Sequence, residues 1–205
     1  MTNSRPLGRR WFLGSVLALS ACSSGAVPRE TFYRLGAPAA PQPMAGGPIK
    51  GTVEVPPFRA QGIVNERAVL YRESARELAQ YNYHAWIEPA SMMVQRAVIE
   101  ALRTARAFTA VASPEMRQNR DYELLGDVRE WEHVLPQAGG PAAAIAVDIS
   151  LRRIADNREV ILRSYKLTEP AAGETVDAAV QAFTTGLDKI IAQVLGDLAG
   201  LPKQP

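Results

Sequence analysis

The sequence predicts an α+β fold, with an antiparallel sheet of about five to seven strands and two helices packed on one face. Two patterns carry this prediction. Residues 144–153 alternate between apolar and polar side chains, which is typical of a strand with one buried face. Residues 174–201 carry apolar side chains at steps of three or four, which is the spacing of an amphipathic helix. Because each segment has one face to bury, together they indicate a layered core of sheet and helix.

The first half of the chain is predicted to supply two strands, a hairpin and a helix. Residues 32–35 begin a strand, and residues 49–55 form another that ends at a Pro-Pro pair, since proline cannot donate to a ladder. Residues 69–72 and 80–86 contain several aromatic side chains and favour a β-hairpin. Pro89 then opens a helix, because proline is well tolerated in the first helical position.

The second half is predicted to form a three-stranded meander followed by the long helix. Residues 122–134 indicate a strand with an irregularity near Gly126. Residues 144–153 and 159–167 are expected to pair across the turn residues at 155–157. The stripe of the long helix has two interpretations. We favour packing on the sheet, and a coiled-coil seam is the alternative.

Residues 1–21 are predicted to be a lipoprotein signal peptide. A basic start is followed by nine apolar residues, too few to cross a bilayer as a helix, and then by small residues before the single cysteine, Cys22. The sequence Leu-Ser-Ala-Cys at this point is similar to the lipobox of bacterial lipoproteins. That similarity implies cleavage between Ala21 and Cys22 and a lipid on the Cys22 thiol, which anchors the protein to a membrane. An ordinary secreted protein with a stray thiol is the alternative.

The export route and destination follow from residues around the lipobox. The pair Arg9-Arg10, followed by Trp-Phe-Leu, resembles the twin-arginine motif, and a general-secretion signal is the alternative. Ser23 fits the outer-membrane sorting pattern of enteric bacteria, which implies a domain that faces the periplasm. Residues 22–30 are small and polar and predict a tether. Residues 31–201 are expected to form a single periplasmic α+β domain.

The charge balance gives no support to nucleic-acid binding. The formal net charge of +2 includes three arginines of the signal segment, and without them 20 basic residues stand against 21 acidic ones. A domain so close to neutral lacks the basic surface on which nucleic-acid binding depends. We therefore expect no nucleic-acid partner.

No pattern in the sequence predicts catalysis, a metal or a cofactor other than the covalent lipid. His84 and His133 stand far apart, without a second histidine or thiol at ligand spacing. Glu130 and Glu132 flank Trp131, and two carboxylates of this kind act on sugars in some enzymes. An acidic strand edge is the simpler interpretation, so we expect that the protein is not an enzyme.

Two further groups have both a binding and a structural interpretation. The polar connection with Arg117, Arg120 and Asp121 is either a contact for a partner or for anionic headgroups, or a solvated loop, which we favour. Large aromatic side chains are either exposed anchors or core residues, and the low aromatic content favours the core: Phe58, Trp86 and Trp131.

Five short motifs follow the lipobox in a characteristic order. They are Phe32-Tyr33-Arg34-Leu35, Val53-Glu54-Val55-Pro56-Pro57-Phe58, YNYHAWIEP at 81–89, Tyr122-Glu123-Leu124 and Trp131-Glu132. This order, over residues 31–198, resembles the ABC-type transport auxiliary lipoproteins, the family that includes PqiC. A proline- and glycine-rich insert at 37–48 departs from the pattern and leaves the pairing of the first strand open.

The resemblance implies a docking subunit at the outer membrane. Its partners would be an MCE-domain protein and an inner-membrane ABC permease and ATPase, in a system that moves lipids between the membranes. The resemblance also makes a homo-oligomer plausible, and Cys22 is the only functional residue that it carries over. The alternative is a regulatory or structural lipoprotein of the envelope, such as a cell-wall synthase activator or a secretion-pore accessory. A lipid carrier ranks third, since it requires an apolar cavity and the helical stripes look filled by the sheet.

Overall fold

The computed structural model describes residues 28–37 and 39–202. These residues form two helices, nine strands and three single-turn 3-10 helices. The helices are α1 (Ala90–Thr104) and α2 (Val176–Ala199). The strands are β1 (Thr31–Tyr33), β2 (Ile49–Glu54), β3 (Arg59–Ala60), β4 (Ala68–Ser74), β5 (Glu77–Trp86), β6 (Phe108–Ala112), β7 (Tyr122–Val134), β8 (Ala142–Arg153) and β9 (Arg158–Pro170).

Strand β7 is the centre of the sheet. One of its edges pairs with β8, which in turn pairs with β9, and both pairings are antiparallel. The other edge receives three strands in succession, all parallel to it: β2 at Tyr122, β3 at Asp127 and β4 at His133. Beyond these lie β6 beside β2, β5 beside β4 and β1 beside β5. Since one long strand serves three shorter neighbours, the sheet curls around its core.

The prediction of an antiparallel sheet of about five to seven strands is wrong in the direction of the strands, because the nine-stranded sheet is mixed. Five of the eight pairings among the described residues are parallel, namely β1–β5, β2–β6, β2–β7, β3–β7 and β4–β7. Apolar alternation reports which face of a strand is buried and not which way its neighbour runs. The α+β class, the β4–β5 hairpin and the β7–β8–β9 meander are confirmed. Strands β3 and β6 are too short to leave a clear pattern.

Both helices form as the sequence predicts, and their buried faces join one hydrophobic core. Pro89 lies at the N-cap, so α1 begins one residue later than expected. Thr175 caps α2 because its Oγ1 accepts a hydrogen bond of 3.2 Å from the Ala178 backbone N–H. The apolar stripe of α2 packs on β8 and β9, so the sheet accounts for it without a coiled-coil seam.

An aromatic cluster lies at the middle of the core. Trp131 stacks on Phe183 of α2 with ring centroids 4.6 Å apart, and Trp86 meets Phe183 edge to face at 5.5 Å. All three side chains are at most 2% exposed. Phe58 is also buried, so the core interpretation of Phe58, Trp86 and Trp131 is confirmed, and the interpretation of these three side chains as exposed anchors is wrong.

The irregularity of β7 lies three residues beyond its predicted position. Its register against β8 shifts between Val128 and Glu130, so the extra residue is Arg129. Gly126 has a different role, because a Cβ atom built there would lie 2.3 Å from the Phe58 ring. The glycine therefore makes room for a core aromatic side chain.

Candidate functional site

The predicted signal peptide, residues 1–21, and the lipid attachment site lie outside the described residues. Ala21 and Cys22 therefore stay predictions. Of the predicted tether, residues 28–30 are described, and all three are exposed. Neither helix in the described part of the chain combines the length and hydrophobicity that crossing a bilayer requires. The chain enters the sheet directly after the tether, through β1, which forms one edge of the sheet.

An exposed patch lies at this edge, and we name it the edge patch: Phe32, Arg67 and Tyr83. The side chains of Phe32 and Tyr83 are 50% and 51% exposed. The guanidinium carbon of Arg67 lies 5.2 Å from the centre of the Phe32 ring, a cation–π contact, and Arg67 and Tyr83 border the same shallow depression. The edge patch thus combines two aromatic rings and a cation on the surface.

A long bulge in β5 produces the exposure of Tyr83. Residues 81–84 of β5 face the single residue Val69 of β4, so the strand bows outwards. Tyr83 has a φ of 62°, in the left-handed region that residues other than glycine rarely adopt. The backbone therefore holds a large aromatic side chain outwards in a conformation that costs free energy. Strain of this kind is common at binding surfaces.

The two histidines are linked through tyrosines, each of which lies within hydrogen-bond distance of one imidazole ring. Tyr33 Oη lies 2.8 Å from His84 Nδ1, and Tyr81 Oη lies 2.8 Å from His133 Nδ1. Tyr81 also meets His84 edge to face at 5.9 Å, so the four rings form a row from the sheet edge into the core. Burial lowers the pKa of His133, and the Glu174 carboxylate opposes this more weakly. The described residues contain no group of three or more side chains suited to a metal ion.

The two carboxylates around Trp131 are held by cations. Lys166 Nζ lies 2.6 Å from Glu130 Oε1, and Arg72 Nε lies 3.2 Å from Glu132 Oε2. Burial raises the pKa of Glu132, and Arg72 opposes the rise. Glu132 thus joins β7 to its neighbour β4, and Glu130 joins β7 to β9 across the intervening strand β8. This arrangement agrees with the structural interpretation and gives no support to a sugar-cleaving site.

The connection before β7 is only partly a solvated loop. Arg117 is exposed, but Arg120 Nη1 lies 2.5 Å from Glu54 Oε1, and its Nη2 lies 3.3 Å from Glu123 Oε1. Arg152 pairs with the same Glu123. Asp121 accepts a hydrogen bond of 2.7 Å from the Thr52 backbone N–H. Since Glu54 and Glu123 are both buried, these ion pairs fasten β2, β7 and β8 together.

Comparison with known proteins identifies one family. A family model described as "ABC-type transport auxiliary lipoprotein component" matches residues 33–195. The resemblance read from the sequence motifs is thereby confirmed. The family is described as an auxiliary component of transport, which is not a catalytic role. No curated protein matches the chain.

Solved structures with TM-scores of 0.70 and 0.66 share the fold. The crystal structure of protein XCC0632 from Xanthomonas campestris is 25% identical, with a TM-score of 0.70 over 81% of this chain and 93% of that one. An uncharacterized protein is 15% identical, with a TM-score of 0.66 over 82% and 98%. A PelC dodecamer from Paraburkholderia phytofirmans is 17% identical, with a TM-score of 0.46 over 80% and 96%. This last similarity is too distant to inform the oligomeric state of this chain, which stays a prediction.

Proposed function

Because the chain belongs to the family of ABC-type transport auxiliary lipoprotein components, we propose that it is a docking subunit, anchored in the outer membrane, of an intermembrane lipid transport system. Its partners are an MCE-domain protein and an inner-membrane ABC permease and ATPase. The family match carries this proposal, since it spans most of the residues that follow the predicted tether. The complex as a whole carries out transport, and this subunit binds the partner protein at the outer membrane.

The contacts that the polar side chains make with one another support docking rather than catalysis. Each of the groups that the sequence singled out for chemistry, Glu130, Glu132, His84 and His133, is engaged by a neighbouring side chain. These contacts tie strands of the sheet to one another. A subunit built in this way acts through its surface.

The predicted anchor supports a location close to the bilayer. Acyl chains on Cys22 stabilise membrane attachment by about 0.8 kcal/mol per buried methylene, so two or three chains hold the protein durably. Residues 23–30 reach at most about 28 Å when fully extended. Since β1 follows at once, the edge patch stays close to the attachment point.

The edge patch is the surface that we assign to the partner protein. Tyrosine and arginine are enriched among residues that dominate binding energy, and the patch offers both beside Phe32. Strand β1, which carries Phe32, is the last of the sheet, so its outer backbone groups are available for pairing with another chain. The side chains of the edge patch contact the partner, and the backbone of β1 fixes the register of the partner strand that pairs with it.

Affinity purification from native membranes tests this assignment. The tagged full-length protein is expected to co-purify with an MCE-domain protein identified by mass spectrometry. Replacing Phe32 and Tyr83 together by Ser is expected to reduce recovery of that partner at least tenfold. Leu162→Ser is the matched control, because Leu162 is 63% exposed on β9, outside the edge patch.

Three results would contradict the proposal in different ways. Recovery of no MCE-domain protein with the unaltered chain contradicts the transport role. Recovery of a cell-wall synthase or a secretion pore in its place favours the alternative envelope role. Undiminished recovery with the Phe32→Ser/Tyr83→Ser variant removes only the edge patch from the proposal.

A further inference from the structure

A cavity of about 470 Å³ lies beside the C-terminal end of α2. Its size is within the usual range of small-molecule sites, about 300–1,000 Å³. Five separate parts of the chain line it: residues 44–50, Tyr122, Arg153, residues 158–160 and the segment 198–202 without Gly200. None of these residues belongs to the edge patch.

The inner walls of the cavity are apolar. Leu198 and Tyr122 are buried, and Met44, Val160 and Leu201 are half-buried around them. Val160 occupies the register shift where β9 carries one residue more than β8, so it lies outside the regular pairing of the two strands. A ligand that fills this space must bring an apolar segment, because a polar one would lose its hydrogen bonds to water.

Backbone hydrogen bonds fix the loop that forms the opposite wall. The Met44 N–H donates to the Ala105 carbonyl at 2.7 Å, and the Ile49 N–H donates to the Ala107 carbonyl at 2.9 Å. Both acceptors follow the last turn of α1. The loop is therefore held at each end against a rigid element, and the cavity exists before any ligand binds.

The rim of the cavity carries an excess of positive charge. Three cations border it, Lys50, Arg153 and Arg158, against the single carboxylate of Glu159. Arg153 is occupied by two hydrogen bonds to Asp156, at 2.6 and 2.9 Å. Lys50 and Arg158 form no ion pair within the described ranges 28–37 and 39–202. These two exposed cations complement an anionic group at the rim.

We infer that this cavity binds an anionic amphiphile with a single acyl chain. The acyl chain of the ligand lies between Leu198, Val160 and the 44–50 loop, and its anionic headgroup contacts Lys50 and Arg158. Fatty acids and lysophospholipids share this chemistry. The inference does not depend on the docking partner, and it gives the protein a lipid site of its own.

Photo-crosslinking in native membranes tests the inference with the full-length protein. The probes are a photoactivatable fatty acid, a lysophosphatidylglycerol and a neutral monoacylglycerol, all with the same diazirine-bearing chain. Peptide mass spectrometry is expected to locate crosslinks from the two anionic probes in residues 44–50 and 158–160. The stronger of the two identifies the headgroup, and the neutral probe is expected to label these residues several-fold less.

Matched variants separate a specific site from general labelling. Val160→Trp fills the cavity and is expected to reduce crosslinking there at least tenfold, whereas Leu162→Trp, on the exposed surface of the same strand, leaves it unchanged. Lys50→Ala with Arg158→Ala is expected to reduce labelling about tenfold, which corresponds to about 1.4 kcal/mol shared between two exposed charges. Arg34→Ala with Arg76→Ala removes the same charge elsewhere and is expected to have no effect.

Two results would overturn the inference. The first is labelling by all three probes spread evenly along the chain. The second is undiminished labelling of residues 44–50 and 158–160 in both the Val160→Trp and the Lys50→Ala/Arg158→Ala proteins. The charge variants change only exposed side chains, so they keep the test valid if Val160→Trp prevents folding.

Discussion

The middle and the last turn of α2 carry the same apolar stripe and meet different surroundings. Near its middle, Phe183 stacks on Trp131, and a Cβ atom built on Gly186 would lie 2.8 Å from Ile145 Cδ1. At its last turn, Leu198 and the following Leu201 border a cavity of about 470 Å³. An apolar stripe therefore identifies the face that a helix buries, and it does not predict whether the surface opposite that face fills the space.

The largest expected loss of stability is at the closely packed middle of α2. Phe183→Ala removes the ring that contacts both Trp86 and Trp131, and the surrounding sheet cannot collapse onto the space. The free energy of unfolding is expected to fall by about 3–5 kcal/mol. Urea denaturation followed by tryptophan fluorescence measures this free energy, and a loss below about 1 kcal/mol would mean that the middle of α2 is not tightly packed.

Substitutions of two glycines on α2 test the same difference in packing, because each substitution adds a side chain. Gly186→Val is expected to cost about 1–3 kcal/mol, since even its Cβ atom enters the space of Ile145. Gly196→Val is the control on the same helix, because no heavy atom lies within 4 Å of a Cβ atom built there. Thermal unfolding compares the two variants. Equal melting temperatures would contradict the difference in packing.

The next effect concerns His133, which is completely buried beside Tyr81 at the packed side of the sheet. Burial lowers its pKa in the folded protein, so below about pH 6.5 the unfolded chain binds more protons. This contribution to stability is present above that pH and is lost as the pH falls, by up to about 1.4 kcal/mol per pH unit.

His133→Gln is expected to reduce this loss. Urea midpoints measured between pH 7.5 and 5.5 should decrease less steeply in the variant than in the unaltered protein. Parallel curves would show that His133 does not titrate differently on folding.

The smallest expected effect is at the open end. Leu201 is half-buried next to the cavity, so truncation to Ala removes few contacts and creates little new empty space. Leu201→Ala is expected to lower the free energy of unfolding by less than about 1 kcal/mol. Urea denaturation measures this change, and a loss comparable to that of Phe183→Ala would contradict the difference in packing between the middle and the last turn of α2.

The elements most accurately predicted from the sequence are those whose pattern depends on near neighbours. The alternation of residues 144–153 identifies β8, and the stripe of 174–201 identifies α2 within two residues at each end. The parallel pairings are different. Those of β2, β3 and β4 with β7 join segments far apart in the chain, and no local pattern records their direction.

The surface features were harder to predict. Tyr83 is exposed because a bulge and a positive φ turn it outwards, although its neighbours read as an ordinary strand. The cavity leaves no pattern in the sequence, because five distant segments line it and the apolar stripe of α2 is the same beside it as elsewhere. The sequence places Arg120 in a loop, and only the fold brings Glu54 to it. The family, in contrast, was recognisable from short motifs alone.

Acylation of Cys22 is the most direct test of an anchored docking subunit. Cells are labelled with an alkyne fatty acid, and the protein is followed by click chemistry and by membrane fractionation, with Cys22→Ser as the comparison. We expect a labelled protein in the outer-membrane fraction, and loss of both label and membrane attachment in the variant. An unlabelled protein, or a variant that still fractionates with the outer membrane, would contradict it.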